Sequence, residues 1–355
     1  MKTIAYPDTV PAMLDHLRRR LADVVPDFEL RAKAELAVEV NRLKREKNAV
    51  ILGHNYMEPG LYHSVPDYTG DSLYLSRVAA EAEAEIVVFC GVRFMAETAK
   101  ILNPGRKVLL PSAKGGCSLA ASITAEDVRR LKARYPGVPV VTYVNTYADV
   151  KAESDYCVTS GNAEEMVRAL KARGHDRLIF LPDEYLGGNV AREAGMEFIL
   201  PDGNGSGENG AAKLQDAIIG WGGRCEVHDK FTVEDIENVR KQFPDAVVLA
   251  HPECSPEVVE ASDFSGSTTA MIRYVENMKS GRYLLLTECS MGDNIAAKNP
   301  QREMIRLCSV RCPHMNEITL EDTLEALRRE QYVIEVPEEI RVRARKALDR
   351  MLEVG

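Results

Sequence analysis

The sequence predicts an α/β protein made of three similar α/β/α repeat domains with short parallel sheets, in a pseudo-threefold arrangement around one central site. Three observations predict it. Short aliphatic runs alternate with amphipathic stretches, which implies parallel strands joined by helices. One unit of roughly 60 to 80 residues occurs three times: a strand with a polar end, a hydroxyl- and glycine-containing turn ahead of a helix, two more strands. Each unit then ends on one cysteine, at Cys117, Cys225 and Cys312.

In chain order, residues 11–47 read as amphipathic helix, with a second run after Pro26. Ala49–Gly53 is a buried strand ending in His54-Asn55-Tyr56, and Asp67–Ser72 leads into a helix over Leu73–Glu83. Strand Glu85–Cys90, helix Phe94–Leu102 and strand Lys107–Leu110 complete the unit up to Cys117. The second unit has strand Val138–Asn145, a Thr159-Ser160-Gly161-Asn162 turn, helix Ala163–Lys171, strand Arg177–Leu181, helix Leu186–Ala194 and strand Glu197–Leu200. A glycine-rich insertion follows, and the chain reaches Cys225. The third has helix Val233–Gln242, strand Val247–Ala250 ending in His251-Pro252-Glu253-Cys254, Ser265–Thr269, helix Ala270–Met278 and strand Arg282–Thr287. Two closing helices follow, over Leu320–Glu330 and Pro337–Leu352. The expected divisions are 1–120 (helical extension and first repeat), 121–230, 231–319 and the closing helices 320–355. Gly205–Gly210 matches G-x-G-x-x-G, but Pro201–Asn204 separate it from the strand, so it reads as a loop.

The 355 residues carry a net charge of −9 and no long basic run, which argues against nucleic acid as a partner. No apolar run approaches the roughly 18 residues of a membrane span, and the start lacks a signal-peptide core, so a cytoplasmic location is expected. Eight cysteines in such a chain point away from a disulfide framework and toward metal ligands, catalytic groups or buried core. The repeat singles out Cys117, Cys225 and Cys312, which lie too far apart in sequence for a local zinc knuckle. Three thiolates suit a cubane iron–sulfur cluster with one iron left open as a Lewis acid. The plain alternative is three unrelated buried cysteines, and Cys308 competes with Cys312 as third ligand.

The strand ends supply acid–base groups: His54 and Tyr56, Tyr143 and Asn145, His251 and Glu253. Residues i and i+2 of a strand share a face, so each pair is expected to face one cavity. Ser72, Ser160 and Ser267-Thr268 precede helices; they read as N-caps that also hold an anion with the help of helix N-termini. His16, His63, His175, His228 and His314 lack such placement and read as surface or structural.

The motifs Gly53-His54-Asn55-Tyr56, Gly70-Asp71-Ser72, Phe94–Ala99, Tyr143-Val144-Asn145, Thr159–Ala163, His251–Cys254, Gly266-Ser267-Thr268 and Cys312–Met315 together resemble the quinolinate synthase family of NAD biosynthesis, from about Ala49 to the C-terminus. The resemblance implies a [4Fe–4S] cluster on Cys117, Cys225 and Cys312, and condensation of iminoaspartate with dihydroxyacetone phosphate. It implies that His54, Ser72, Ser160 and Thr268 hold substrate carboxylate or phosphate, and that Tyr56, Tyr143, Asn145, His251 and Glu253 line the reacting centre. Glu253 is then the general base, with Tyr56 and His251 assisting proton transfer and Tyr143 beside them. Functional coupling to an L-aspartate-oxidising enzyme is a further expectation. The competing readings are another iron–sulfur lyase, a cluster-less small-molecule binding protein and a structural zinc protein.

Overall fold

The computed structural model describes residues 3–201, 215–278, 280–305, 307 and 310–354. The G-x-G-x-x-G stretch and Cys308 lie outside them. Three small parallel sheets carry the fold. The first joins β1 (Ala49–His54), β2 (Tyr68–Gly70), β3 (Ile86–Cys90) and β4 (Lys107–Leu109) in the order β2-β1-β3-β4. The second joins β5 (Val140–Tyr143), β6 (Tyr156–Val158), β7 (Arg177–Leu181), β8 (Glu197–Ile199) and β9 (Ala217–Ile219) in the order β6-β5-β7-β9-β8. The third joins β10 (Val247–Ala250), β11 (Phe264–Ser265), β12 (Arg282–Leu286) and β13 (Glu303–Ile305) in the order β11-β10-β12-β13.

The first strand of each unit therefore lies between a short edge strand and the next long strand. That reversal of strand order is the topological switch point at which open α/β sheets bind ligands beyond the carboxyl ends. The edge strands β2, β6 and β11 are missing from the sequence reading because two or three residues carry too little pattern. Strand Glu197–Leu200, read as third in its unit, lies at the sheet edge; β9 takes the place that β4 and β13 hold in the other sheets. The N-terminal run is two helices, Val10–Leu21 and Asp27–Glu46, broken at Pro26. The less regular stretch after β12 is a helix, Cys289–Lys298.

The repeat extends to one detail invisible in hydrophobic pattern. An aspartate ahead of each edge strand clasps the neighbouring strand. Asp67, Asp155 and Asp263 accept from the backbone N–H of Ile51, Val140 and Val248 at 2.8, 2.9 and 2.8 Å. Their own N–H groups donate to the carbonyls of the same three residues. Each clasp ties the edge strand to the first strand near its start or middle and so sets their register. Asp155→Ala should destabilise the protein by about 1–3 kcal/mol, because the Val140 N–H loses a charged acceptor. Equilibrium denaturation measures this, and an unchanged midpoint would argue against the clasp.

The closing helices tie the units together. Glu338–Glu353 packs against the helix Ala148–Glu153, and Leu320–Arg329 against Asp27–Glu46. Asn162 donates to the carbonyls of Met351 and Val354 at 3.1 and 2.9 Å. Among the described residues no helix is long and apolar enough to cross a membrane.

Candidate active site

One cavity lies where the three units meet. Its wall includes all twelve residues singled out above: His54, Tyr56, Ser72, Cys117, Tyr143, Asn145, Ser160, Cys225, His251, Glu253, Thr268 and Cys312. His54 ends β1, Tyr143 ends β5, and His251 follows β10 directly. Beyond each strand the chain turns, so the pairs meet for a different reason than expected. Met57 N–H donates to the His54 carbonyl and Cys254 N–H to that of His251, closing tight turns in which the pleat no longer sets direction. In both turns the histidine Nδ1 accepts the backbone N–H two residues on, from Tyr56 at 3.2 Å and Glu253 at 3.3 Å. That bond assigns each ring the neutral tautomer with its proton on Nε2. Burial agrees, drawing His54 down to about 4 and His251 down to about 3.

Two of the three hydroxyl turns differ from expectation in register, while in the third Ser267 caps as read. Asp71 caps the helix Ser72–Glu81 by accepting from Tyr74 N–H, and Ser267 caps Thr268–Asn277 by accepting from Ala270 N–H. Ser72 and Thr268 are thus first helical residues rather than caps, and capping does not use their hydroxyls. Asn162, not Ser160, stands at the cap position of Ala163–Ala172.

His228 was expected to be surface or structural, yet it is 1% exposed and lines the cavity. Its Nδ1 approaches Glu253 Oε2 to 2.6 Å, short of the alignment of a good hydrogen bond, and its ring stacks on His251 at 4.6 Å between centroids. Its Nε2 lies 3.0 Å from Thr287 Oγ1, which lies 2.5 Å from the Tyr56 hydroxyl. Glu253, His228, Thr287 and Tyr56 therefore form one buried relay. Asn145 Nδ2 donates to Glu253 Oε1 at 3.2 Å, and the Tyr143 phenol lines the same cavity. Burial raises the Glu253 carboxyl, but the neighbouring His228 and His251 rings outweigh it and hold it below the usual range. Burial pushes Tyr56 and Tyr143 well above theirs, so both stay protonated. Glu288, also unnoticed in the sequence, is buried at the cavity wall and raised by burial to about 7.

The cysteine loops converge on the same cavity, with Cys225 next to His228 and Glu253. Cys117 opens the short helix Ser118–Ala121 and Cys312 opens Pro313–Asn316. Glu226, beside Cys225, accepts from Ser118 Oγ at 2.7 Å and lies 3.3 Å from His314 Nε2, so it joins the neighbours of all three cysteines. All three thiols are free. Burial pushes Cys117 up to about 12, Cys312 up to about 11 and Cys225 well above its ordinary value. Three buried thiols that bare ionisation would penalise fit a cationic, sulfur-preferring centre, which is the donor chemistry of an iron–sulfur cluster. A second set overlaps it: ligand atoms of Cys225, His228 and Glu253 lie within 4.8 Å of one another. Cys254, by contrast, is buried and its thiol donates to the Leu286 carbonyl.

The sequence profile described as quinolinate synthetase A protein matches residues 38–353. Its start places part of the N-terminal extension inside the family. The chain is 50% identical over 331 residues to the quinolinate synthase of Caulobacter vibrioides, covering 93% of this chain and 84% of that protein. It is 49% identical over 346 residues to quinolinate synthase 2 of Mesorhizobium japonicum, covering 98% and 99%. With the quinolinate synthase of Agrobacterium fabrum it shares 49% over 335 residues, 94% and 90% of the two chains.

Proposed function

The chain belongs to the quinolinate synthetase A family, and on that footing we propose that it condenses iminoaspartate with dihydroxyacetone phosphate to give quinolinate, phosphate and two waters. One observation carries the reading: three cysteines and the acid–base tails of three sheets line a single cavity. Cys117, Cys225 and Cys312 would hold a [4Fe–4S] cluster, which supplies a Lewis-acidic iron with one position open to substrate.

The rest is done by this chain's own side chains. Ser72, Ser160 and Thr268, at or near helix N-termini, hold carboxylate or phosphate with the help of free backbone N–H groups and the helix dipoles. His54, neutral at Nδ1, offers its Nε2 proton to the same anions. Glu253 takes protons as the general base. Tyr56, protonated, gives one to a departing hydroxide. Thr287 and His228 link the two through the Tyr56–Thr287 and Thr287–His228 hydrogen bonds and the close His228–Glu253 contact, so a proton leaving Tyr56 is replaced along that path. Tyr143 and Asn145 orient the Glu253 carboxylate. Iminoaspartate is the product of oxidising aspartate, so an L-aspartate-oxidising enzyme is the natural supplier.

Quinolinate formation from dihydroxyacetone phosphate and freshly generated iminoaspartate tests the reading; a cluster-loaded protein that makes none would favour another iron–sulfur lyase. His228→Leu should lower kcat about 100-fold with iron content unchanged, since it cuts the relay without touching a cysteine. Wild-type turnover in that variant would remove the relay. The overlapping Cys225, His228 and Glu253 set favours a second reading, a single zinc ion. Elemental analysis separates the two, with one zinc and no sulfide supporting the second.

A further inference from the structure

We propose that Asn55 is a positioning residue that fixes the Thr268 hydroxyl as a hydrogen-bond donor to the substrate's anionic group, a role that rests on the anion-holding function proposed above for Thr268.

Asn55 sits between His54 and Tyr56 but points away from them and is 2% exposed. Its Nδ2 donates to Thr268 Oγ1 at 2.9 Å, from the first unit to the third. Its Oδ1 accepts from the Tyr62 hydroxyl at 3.3 Å, and Tyr62 accepts from Lys298 Nζ at 3.2 Å. Asn294 Nδ2 holds the Asn55 carbonyl at 3.2 Å, which pins the backbone.

The direction of this chain is set at its far end. An ammonium only donates, so Tyr62 receives from Lys298 and must send its own proton to Asn55. The Asn55 oxygen therefore faces Tyr62 and its amino group faces Thr268. Thr268 then has a lone pair committed, and among the described residues its proton has no acceptor. Thr268 is 3% exposed, lines the cavity and opens a helix whose cap is Ser267. The remaining direction for its proton is into the cavity, where the helix N-terminus already favours an anion. Serial donors of one polarity strengthen one another in a buried site.

The experiment measures inorganic phosphate and, separately, malate binding by titration calorimetry, with KM and kcat for dihydroxyacetone phosphate. Wild type is compared with Asn55→Asp, Thr268→Ala, the double variant and Tyr62→Phe. Aspartate accepts where asparagine donates, so the Thr268 proton turns back toward it. Asn55→Asp should weaken the anion that Thr268 holds about 10- to 100-fold and raise KM more than it lowers kcat. The double variant should be no weaker than the weaker single, as expected for residues acting through one another. Tyr62→Phe should weaken binding roughly 3-fold, and decides the matter if Asn55→Asp does not fold. Unchanged binding of both anions in these variants, or effects that multiply in the double, overturns the relay. A folded wild type that binds neither anion and makes no quinolinate overturns instead the function on which it rests.

Discussion

Cys225→Ser should yield a colourless protein that makes no quinolinate. Serine is nearly the same size, so the fold survives, but a hard, weakly acidic hydroxyl replaces a soft thiolate donor. Cys117→Ser should behave alike, because the two thiols share a cavity with Cys312 and their loops meet at Glu226. Cys254→Ser should keep both colour and activity; its thiol is spent on the Leu286 carbonyl. Visible absorbance, iron content and quinolinate yield check each variant. The third ligand is tested in the same series. If Cys312→Ser keeps the cluster and Cys308→Ser loses it, Cys308 replaces Cys312 in the ligand set.

Glu253→Gln should lower kcat by about 100- to 10,000-fold while KM for either substrate stays within a few-fold. Glutamine keeps the shape and can still accept from Asn145. It cannot take a proton, and it breaks the relay at its acidic end, 2.6 Å from His228. Loss confined to kcat identifies a group acting on reacting atoms rather than on binding. Wild-type turnover would take Glu253 out of the base role.

The placement of these residues was largely legible in the sequence. Three aliphatic strands with polar tails announce the sheets, and the switch-point rule puts His54, Tyr143 and Glu253 at one face. Cys117 and Cys225 were singled out by counting units, while Cys312 also carries the local Cys312–Met315 motif. His228 was missed because it opens a three-residue 3₁₀ turn, His228–Lys230, too short to carry a periodic pattern. The spacing of Cys225 and His228, a thiol and an imidazole three residues apart, was the one available signal. Thr287 and Glu288 continue past β12, so reading that tail as a polar strand end would have found both. At the first and third hydroxyl turns the capping residue was left undecided for a simpler reason. Asp71 and Ser72, like Ser267 and Thr268, are adjacent residues of good capping chemistry, and only backbone geometry decides which of each pair caps. The aspartate clasps were illegible because each joins residues about fifteen apart with no periodic relation.

Iron and acid-labile sulfide in the anaerobically purified chain test the central claim most directly. A [4Fe–4S] centre on Cys117, Cys225 and Cys312 predicts a brown protein with about four of each per chain. A well-folded, colourless protein without sulfide, whether metal-free or holding a single zinc, would contradict it.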